Sequence, residues 1–226
     1  MQRGDAWRPV AQLLPERYPS VLLDHREHSF EGRLREIADA AAGRSRPVLV
    51  GYSLGGRLAL RAVLRDPSHY AGLIIVSATA GIDEPATRSA RAEADERLAA
   101  WMEAAPIADI VGIWERQPLF ADQSDALVEE QRAGRLSHDP AALALLLRTA
   151  GQGVLEPVWH ELMRLEPPVL AIAGNRDDGY VRAARRIADT APQGRAAVVE
   201  EAGHAAHLQR PDEVARLVVD FLDGLG

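Results

Sequence analysis

The chain has 226 residues, 47% of them hydrophobic, which suffices to bury one sizeable core and predicts a single domain. A formal net charge of −7, from 33 acidic against 26 basic residues, gives no basic face for nucleic acid or anionic lipid. The lack of cysteine excludes disulfides, thiolate zinc sites and a cysteine nucleophile. There is no apolar leader after Met1 and no run of roughly 18 apolar residues, so neither a signal peptide nor a membrane span is expected, and the reading is of a cytoplasmic protein.

In chain order, short apolar runs alternate with segments of helical period. Strands are expected at Ser20 to Leu23, Val48 to Val50, Leu73 to Val76, Val169 to Ala173 and Ala196 to Val199. Helices are expected at Phe30 to Ala42, Leu54 to Leu64, Val181 to Ala191 and Glu213 to Leu222, where apolar residues recur at three and four. Alternation of this kind predicts an α/β fold, a mostly parallel sheet with helices on both faces. From Ile82 to Leu165 the rhythm breaks into Ala-, Leu-, Glu- and Arg-rich helical patches without a convincing strand, and Pro167-Pro168 then forces extended backbone. The predicted organisation is a core from residues 1–81 and 166–226 and a helical cap from residues 82–165.

Val48-Leu49-Val50 leads directly into Gly51-Tyr52-Ser53-Leu54-Gly55-Gly56, and a helical run follows. A strand, a tight turn and a helix in that order hold the middle residue in strained backbone geometry and leave its hydroxyl exposed above the sheet. The glycines on either side of Ser53 are expected to relieve clashes. Ser53 is therefore the candidate nucleophile, with the Leu54 N–H as an oxyanion donor.

A serine hydroxyl is a weak nucleophile or base near neutral pH and needs an imidazole to take its proton, with an acid behind the imidazole. In chain order the candidates are Ser53, then Asp177 in Gly174-Asn175-Arg176-Asp177-Asp178, then His204 in Glu201-Ala202-Gly203-His204. Each falls just past the carboxyl end of an expected strand, where catalytic groups collect in open α/β sheets. Asp178 competes for the acid role, and His207 is the nearest rival histidine.

These residues resemble the α/β hydrolases and, within them, the 2-succinyl-6-hydroxy-2,4-cyclohexadiene-1-carboxylate synthase family of menaquinone biosynthesis. The likeness runs through Gly51 to Arg57, Trp114-Glu115-Arg116-Gln117-Pro118-Leu119-Phe120, Arg135 with Leu143 and Arg148, Gly174 to Tyr180, and Gly203-His204-Ala205-Ala206-His207. It implies an α/β-hydrolase fold and a carbon–carbon lyase that eliminates pyruvate from a 2-succinyl-cyclohexene carboxylate intermediate, with no metal or organic cofactor. By the same resemblance Arg57, Arg91 and Arg135 would bind the carboxylates of a small anionic substrate, and Tyr52 and Trp114 would line its pocket. The competing reading of each arginine is half of a helix-surface ion pair, and that of Trp114 is packing within the cap.

The resemblance also marks departures. The family carries strands and a His-Gly-Phe oxyanion segment ahead of the stretch that matches Met1 to Trp7, so the chain is expected to be N-terminally truncated and its sheet to have a gap or close up between Ser20–Leu23 and Val48–Val50. Asp24-His25-Arg26-Glu27-His28 replaces the family's Asp-x-x-Gly-His-Gly, Gly179 stands for a usual lysine, and Asn175 for a usual glutamate. A serine esterase acting on a small acyl substrate, and a catalytically impaired binding protein, are the competing readings.

Overall fold

The computed structural model describes residues 2–225; Met1 and Gly226 lie outside the described residues. Among the described residues four strands, β1 (Val48–Tyr52), β2 (Gly72–Val76), β3 (Val169–Gly174) and β4 (Gly194–Val199), form one all-parallel sheet in the order β1-β2-β3-β4. Each consecutive pair is adjacent, so every connection is a crossover and must pass over a face of the sheet. The helices are α1 (Arg8–Ala11), α2 (Phe30–Ala41), α3 (Leu54–Arg65), α4 (Pro85–Ala104), α5 (Ile107–Glu115), α6 (Asp125–Leu136), α7 (Pro140–Ala150), α8 (Asp178–Thr190), α9 (Ala206–Gln209) and α10 (Pro211–Asp223).

The two-residue period of the strands divides the core. Leu73 and Ile75 of β2, with Ala171 and Ala173 of β3, face one layer, which is closed by Leu60 and Val63 of α3 and Ile187 of α8. Ile74, Val76, Leu170 and Ile172 point the other way, against Val10 of α1 and Val214, Val218 and Phe221 of α10. Strands buried on both faces read as continuous apolar runs, which is why β2 and β3 stand out in the sequence. Ala171 and Ala173 of β3 let α8 sit close on their side, while Leu170 and Ile172 of that strand go to the opposite layer.

All the helices from α4 to α7 lie in the connection from β2 to β3. Ala99, Met102, Ile110 and Ala144 give this insert a small core of its own. Its last stretch belongs elsewhere: Val158, Trp159, Leu162 and Leu165 pack into the main core beside β2 and β3. No helix among the described residues is long and apolar enough to cross a membrane.

One expected strand is absent. Ser20 to Leu23 takes no regular structure and has no strand partner among the described residues, and Val21 is 61% exposed. An apolar run becomes a strand only when another strand satisfies its N–H and C=O groups. Here β1 bonds to β2 alone, and between Ser20–Leu23 and the other edge of β1 lies a cleft that both segments line. The sheet therefore keeps the gap rather than closing up. The cleft is continuous with the space above Ser53, and together they form a cavity of about 1760 Å³.

Candidate active site

Ser53 sits in the turn between β1 and α3 with φ 50° and ψ −110°, a conformation costing of order 1–3 kcal/mol for a residue with a side chain. Its N–H donates to the Val76 carbonyl at 2.9 Å and its carbonyl accepts from the Arg57 N–H at 3.1 Å, which fixes the turn at both ends. The glycines around it are not equivalent. A Cβ on Gly51 would lie 2.4 Å from the Gly55 carbonyl oxygen, and one on Gly56 would lie 2.6 Å from the Ala78 Cβ, whereas one on Gly55 would meet nothing within 4 Å. The expected need for glycine two positions after the serine thus belongs to Gly56 instead. Gly51→Ala is expected to destabilise by on the order of 3 kcal/mol through overpacking against backbone. Gly55→Ala should be neutral or up to about 1 kcal/mol stabilising, since Ala is the better helix former. Urea titration of the two variants checks the contrast.

His204 lies between the other two candidates. Its Nε2 is 3.1 Å from Ser53 Oγ and its Nδ1 is 2.9 Å from Asp177 Oδ2. Asp177 rather than Asp178 makes this contact; Asp178 begins α8 and is exposed. The other oxygen of Asp177 caps α8, accepting from the Tyr180 N–H at 3.4 Å, so the helix start fixes the carboxylate. The loops bearing Asp177 and His204 are knitted by backbone: the Arg176 N–H donates to the Ala202 carbonyl, and a Cβ on Gly174 would fall 2.2 Å from that same oxygen. Only glycine allows so close an approach at the end of β3. The imidazole is 2% exposed and the carboxylate 11%.

Aromatic rings wall this imidazole. Tyr52, Phe120 and Tyr180 have centroids 5.3, 5.9 and 4.5 Å from it, and Trp114 stacks behind Phe120 at 5.5 Å. Burial raises the Tyr52 pKa, so its hydroxyl stays protonated. Leu54 is the first residue of α3, where backbone N–H groups lack intrahelical acceptors, and it lines the cavity.

The arginines separate into three situations. Arg57 and Arg61 lie one turn apart on the buried side of α3, each 8% exposed. Arg61 donates to the Glu156 carbonyl at 2.6 Å, while Arg57 lines the cavity and its Nη1 is buried with no partner. Burial lowers the Arg57 pKa to about 10, which leaves it cationic at neutral pH. Arg91 also lines the cavity but is held by the buried Asp95 at 2.8 Å. Arg135, expected among the substrate-binding residues, is not on the cavity wall. It is 2% exposed and paired at 2.9 Å with Glu115, whose other oxygen takes Arg132 at 2.7 Å. A carboxylate in its own helical layer has claimed it.

His207, the nearest rival of His204 in the sequence, does not reach Ser53. It is fully buried, stacked on Tyr52 at 4.3 Å and Trp7 at 4.6 Å, with neither ring nitrogen partnered. Desolvation, and then the neighbouring His204, push its pKa down to about 3. Between about pH 6.5 and that value the unfolded chain binds a proton that the folded chain refuses, so stability falls as pH drops through this window. His207→Phe is expected to spare about 1–2 kcal/mol of the stability lost between pH 7 and pH 5, read from urea midpoints.

The profile of the Alpha/beta hydrolase family matches residues 2–217. The chain belongs to the alpha/beta hydrolase family. Among curated members of the family, 2-succinyl-6-hydroxy-2,4-cyclohexadiene-1-carboxylate synthase of Enterobacter sp. (strain 638) is 30% identical over 236 residues, covering 97% of this chain and 88% of that one. A Bacillus subtilis (strain 168) protein provisionally given the same name is 29% identical over 180 residues, covering 78% of this chain and 66% of that one. Among solved structures of the hydrolase fold, MenH from S. aureus superposes with a TM-score of 0.88 at 24% identity, covering 99% of this chain and 90% of that one.

Proposed function

We propose that the chain is a lyase that eliminates pyruvate from a 2-succinyl-cyclohexene carboxylate intermediate to give the product named in its synthase relatives. The observation that carries this reading is Arg57. A guanidinium buried beside the nucleophile with an unpartnered nitrogen is costly in the free protein and is matched by a substrate carboxylate. Arg91 adds a second cation on the same wall. In this reading Asp177 orients His204, His204 takes the Ser53 proton, and the Ser53 alkoxide removes a proton from substrate carbon. The C–H electron pair forms the new double bond, the bond from ring carbon to the oxygen of a pyruvate enol ether breaks, and the departing enolate, stabilised in part by the Leu54 N–H, takes the proton held by His204 at carbon to become pyruvate. The bond broken is then carbon–oxygen, not the carbon–carbon bond expected from the resemblance. Nucleic acid has no place in this reading, and the ligand is a small anion.

A second reading has support from the same contact. Ser53 Oγ at 3.1 Å from His204 Nε2 serves acyl transfer as readily as proton abstraction, which keeps a serine esterase as the rival. The deciding experiment supplies the 2-succinyl-cyclohexene carboxylate intermediate and, separately, simple esters, and follows pyruvate and acid release. Serine-dependent pyruvate is expected. Ester cleavage through Ser53 with no pyruvate would replace the lyase by the esterase.

A further inference from the structure

Gln209, at the end of α9, joins the His204 loop to the helical insert. Its Oε1 accepts from the Gly203 N–H at 2.8 Å, and its Nε2 donates to the Asp122 carboxylate at 2.9 Å. The backbone donor fixes which end of the amide is oxygen, because an N–H must meet an acceptor. Asp122 sits so close over the loop that a Cβ on Gly203 would fall 2.2 Å from its Oδ2. Two residues before Asp122, Phe120 packs on the His204 ring. The insert therefore grips the imidazole from one side and the backbone next to it from another, and a single carboxamide closes the second grip.

We infer that Gln209 is a positioning residue that couples the placement of the insert to the aim of His204 at Ser53. The inference rests on the reading of Ser53 and His204 as the reactive pair. Only a side chain with one acceptor and one donor meets both neighbours: a carboxylate would accept from Gly203 but confront Asp122 with like charge, and an apolar group would serve neither. The charged and titratable groups around the junction are Asp122 from the insert, Arg176 and Asp177 from the loop into α8, Asp178 at the start of α8, His204 from the same loop as Gly203, His207 from α9, and Arg210, which is itself tied to Glu201 and Asp212.

The test uses the rate at which a fluorophosphonate labels Ser53, taken relative to the parent chain at each pH from about 5 to 8.5. Gln209→Glu should label about tenfold more slowly near pH 8 and recover toward the parent as pH falls, because one proton shared between the introduced carboxylate and Asp122 restores both hydrogen bonds. Adding Asp122→Asn should restore labelling at every pH, since the amide donates to the new carboxylate, which still accepts from Gly203. Gln209→Leu should be slow throughout and gain nothing from Asp122→Asn. Parental labelling by Gln209→Glu near pH 8, or a slow Gln209→Glu that neither acid nor Asp122→Asn rescues, overturns the coupling. If Gln209→Glu does not fold, the double variant decides alone: a folded, labelled double variant supports the coupling and a dead one refutes it. Pyruvate plays no part in the readout. A parent that labels but makes no pyruvate removes the lyase reading and leaves the coupling, whereas a parent that does not label overturns the coupling as well.

Discussion

Replacing Ser53 by alanine is expected to lower pyruvate release by about 10³-fold or more without unfolding the chain. The magnitude follows from the group removed. In the proposed elimination the alkoxide is the base itself, and Ser53 Oγ is the group that His204 Nε2 meets, so a residual rate rests mainly on binding and the Leu54 N–H. His204→Ala should cost a similar factor, and the double variant little more than either single one, because groups acting as a unit are not additive. Additive losses in the Ser53→Ala/His204→Ala double variant would mean that the two residues act separately. The Ser53→Ala chain should stay folded, losing about 1–2 kcal/mol at most, since the alanine takes one hydrogen-bond partner from the buried His204 Nε2. A drop in its urea midpoint as large as its drop in rate would reassign the effect to folding.

Replacing Arg57 by methionine is expected to move activity and stability in opposite directions. A fork of donors facing a desolvated substrate carboxylate is worth about 2–4 kcal/mol, so kcat/KM should fall by roughly 30- to 1,000-fold. The free protein meanwhile loses a cation that burial alone destabilises: the guanidinium is 8% exposed, its Nη1 has no partner, and its pKa is drawn down to about 10. A methionine of similar length fills the same stripe of α3, and the unfolding free energy from urea titration should rise by on the order of 1 kcal/mol with an unchanged slope. Arg57→Lys keeps the charge without the planar fork and should recover only part of the rate. Arg135→Met gives the contrast. Its removal leaves Glu115 buried with only Arg132, so stability should fall before any substrate is added. A stability loss in Arg57→Met would show that the arginine has a structural partner and would take away the main support for an anionic substrate.

The strands were legible where apolar runs ended in glycine or polar turns, and β1, β2 and β3 start or end within two residues of their expected limits. Ser20 to Leu23 had the same appearance but no neighbour, and pairing is a property of the whole sheet. At α8 the helix begins at Asp178, ahead of the expected Val181, because Asp177 caps it while also facing His204. One residue thus carries two signals that the sequence shows as one. Ser53, Asp177 and His204 could be named in advance because each follows a strand, and position after a strand is local. Phe120, Tyr180 and Gln209 could not, since what they touch lies far away in sequence; the Gln209 partner Asp122 is 87 residues distant. Arg57 and Arg135 look alike in the sequence, and only the location of Glu115 separates an available cation from a neutralised one.

The insertion of α4 to α7 between two strands that pair in the middle of the sheet also governs how the chain is made. β2 leaves the ribosome with α3 already packed beside it, but its partner β3 follows only after residues 77–168. At ordinary rates of synthesis that interval is roughly 5–20 s, during which Ile74 and Val76 have β1 on one side but neither β3 on the other nor α10 to cover them. Closing so long a loop is slow, which lengthens the exposure further. The insert shortens its own part of the wait by carrying an independent cluster around Met102 and Ile110, so its helices can condense before the sheet is complete. Ser53 and His204, 151 residues apart, can meet only once β4 and the loop after it have been made. A nascent chain halted anywhere before β3 holds the serine in a half-built sheet, and it is at this stage, rather than in the finished protein, that a chaperone has the most apolar surface to find.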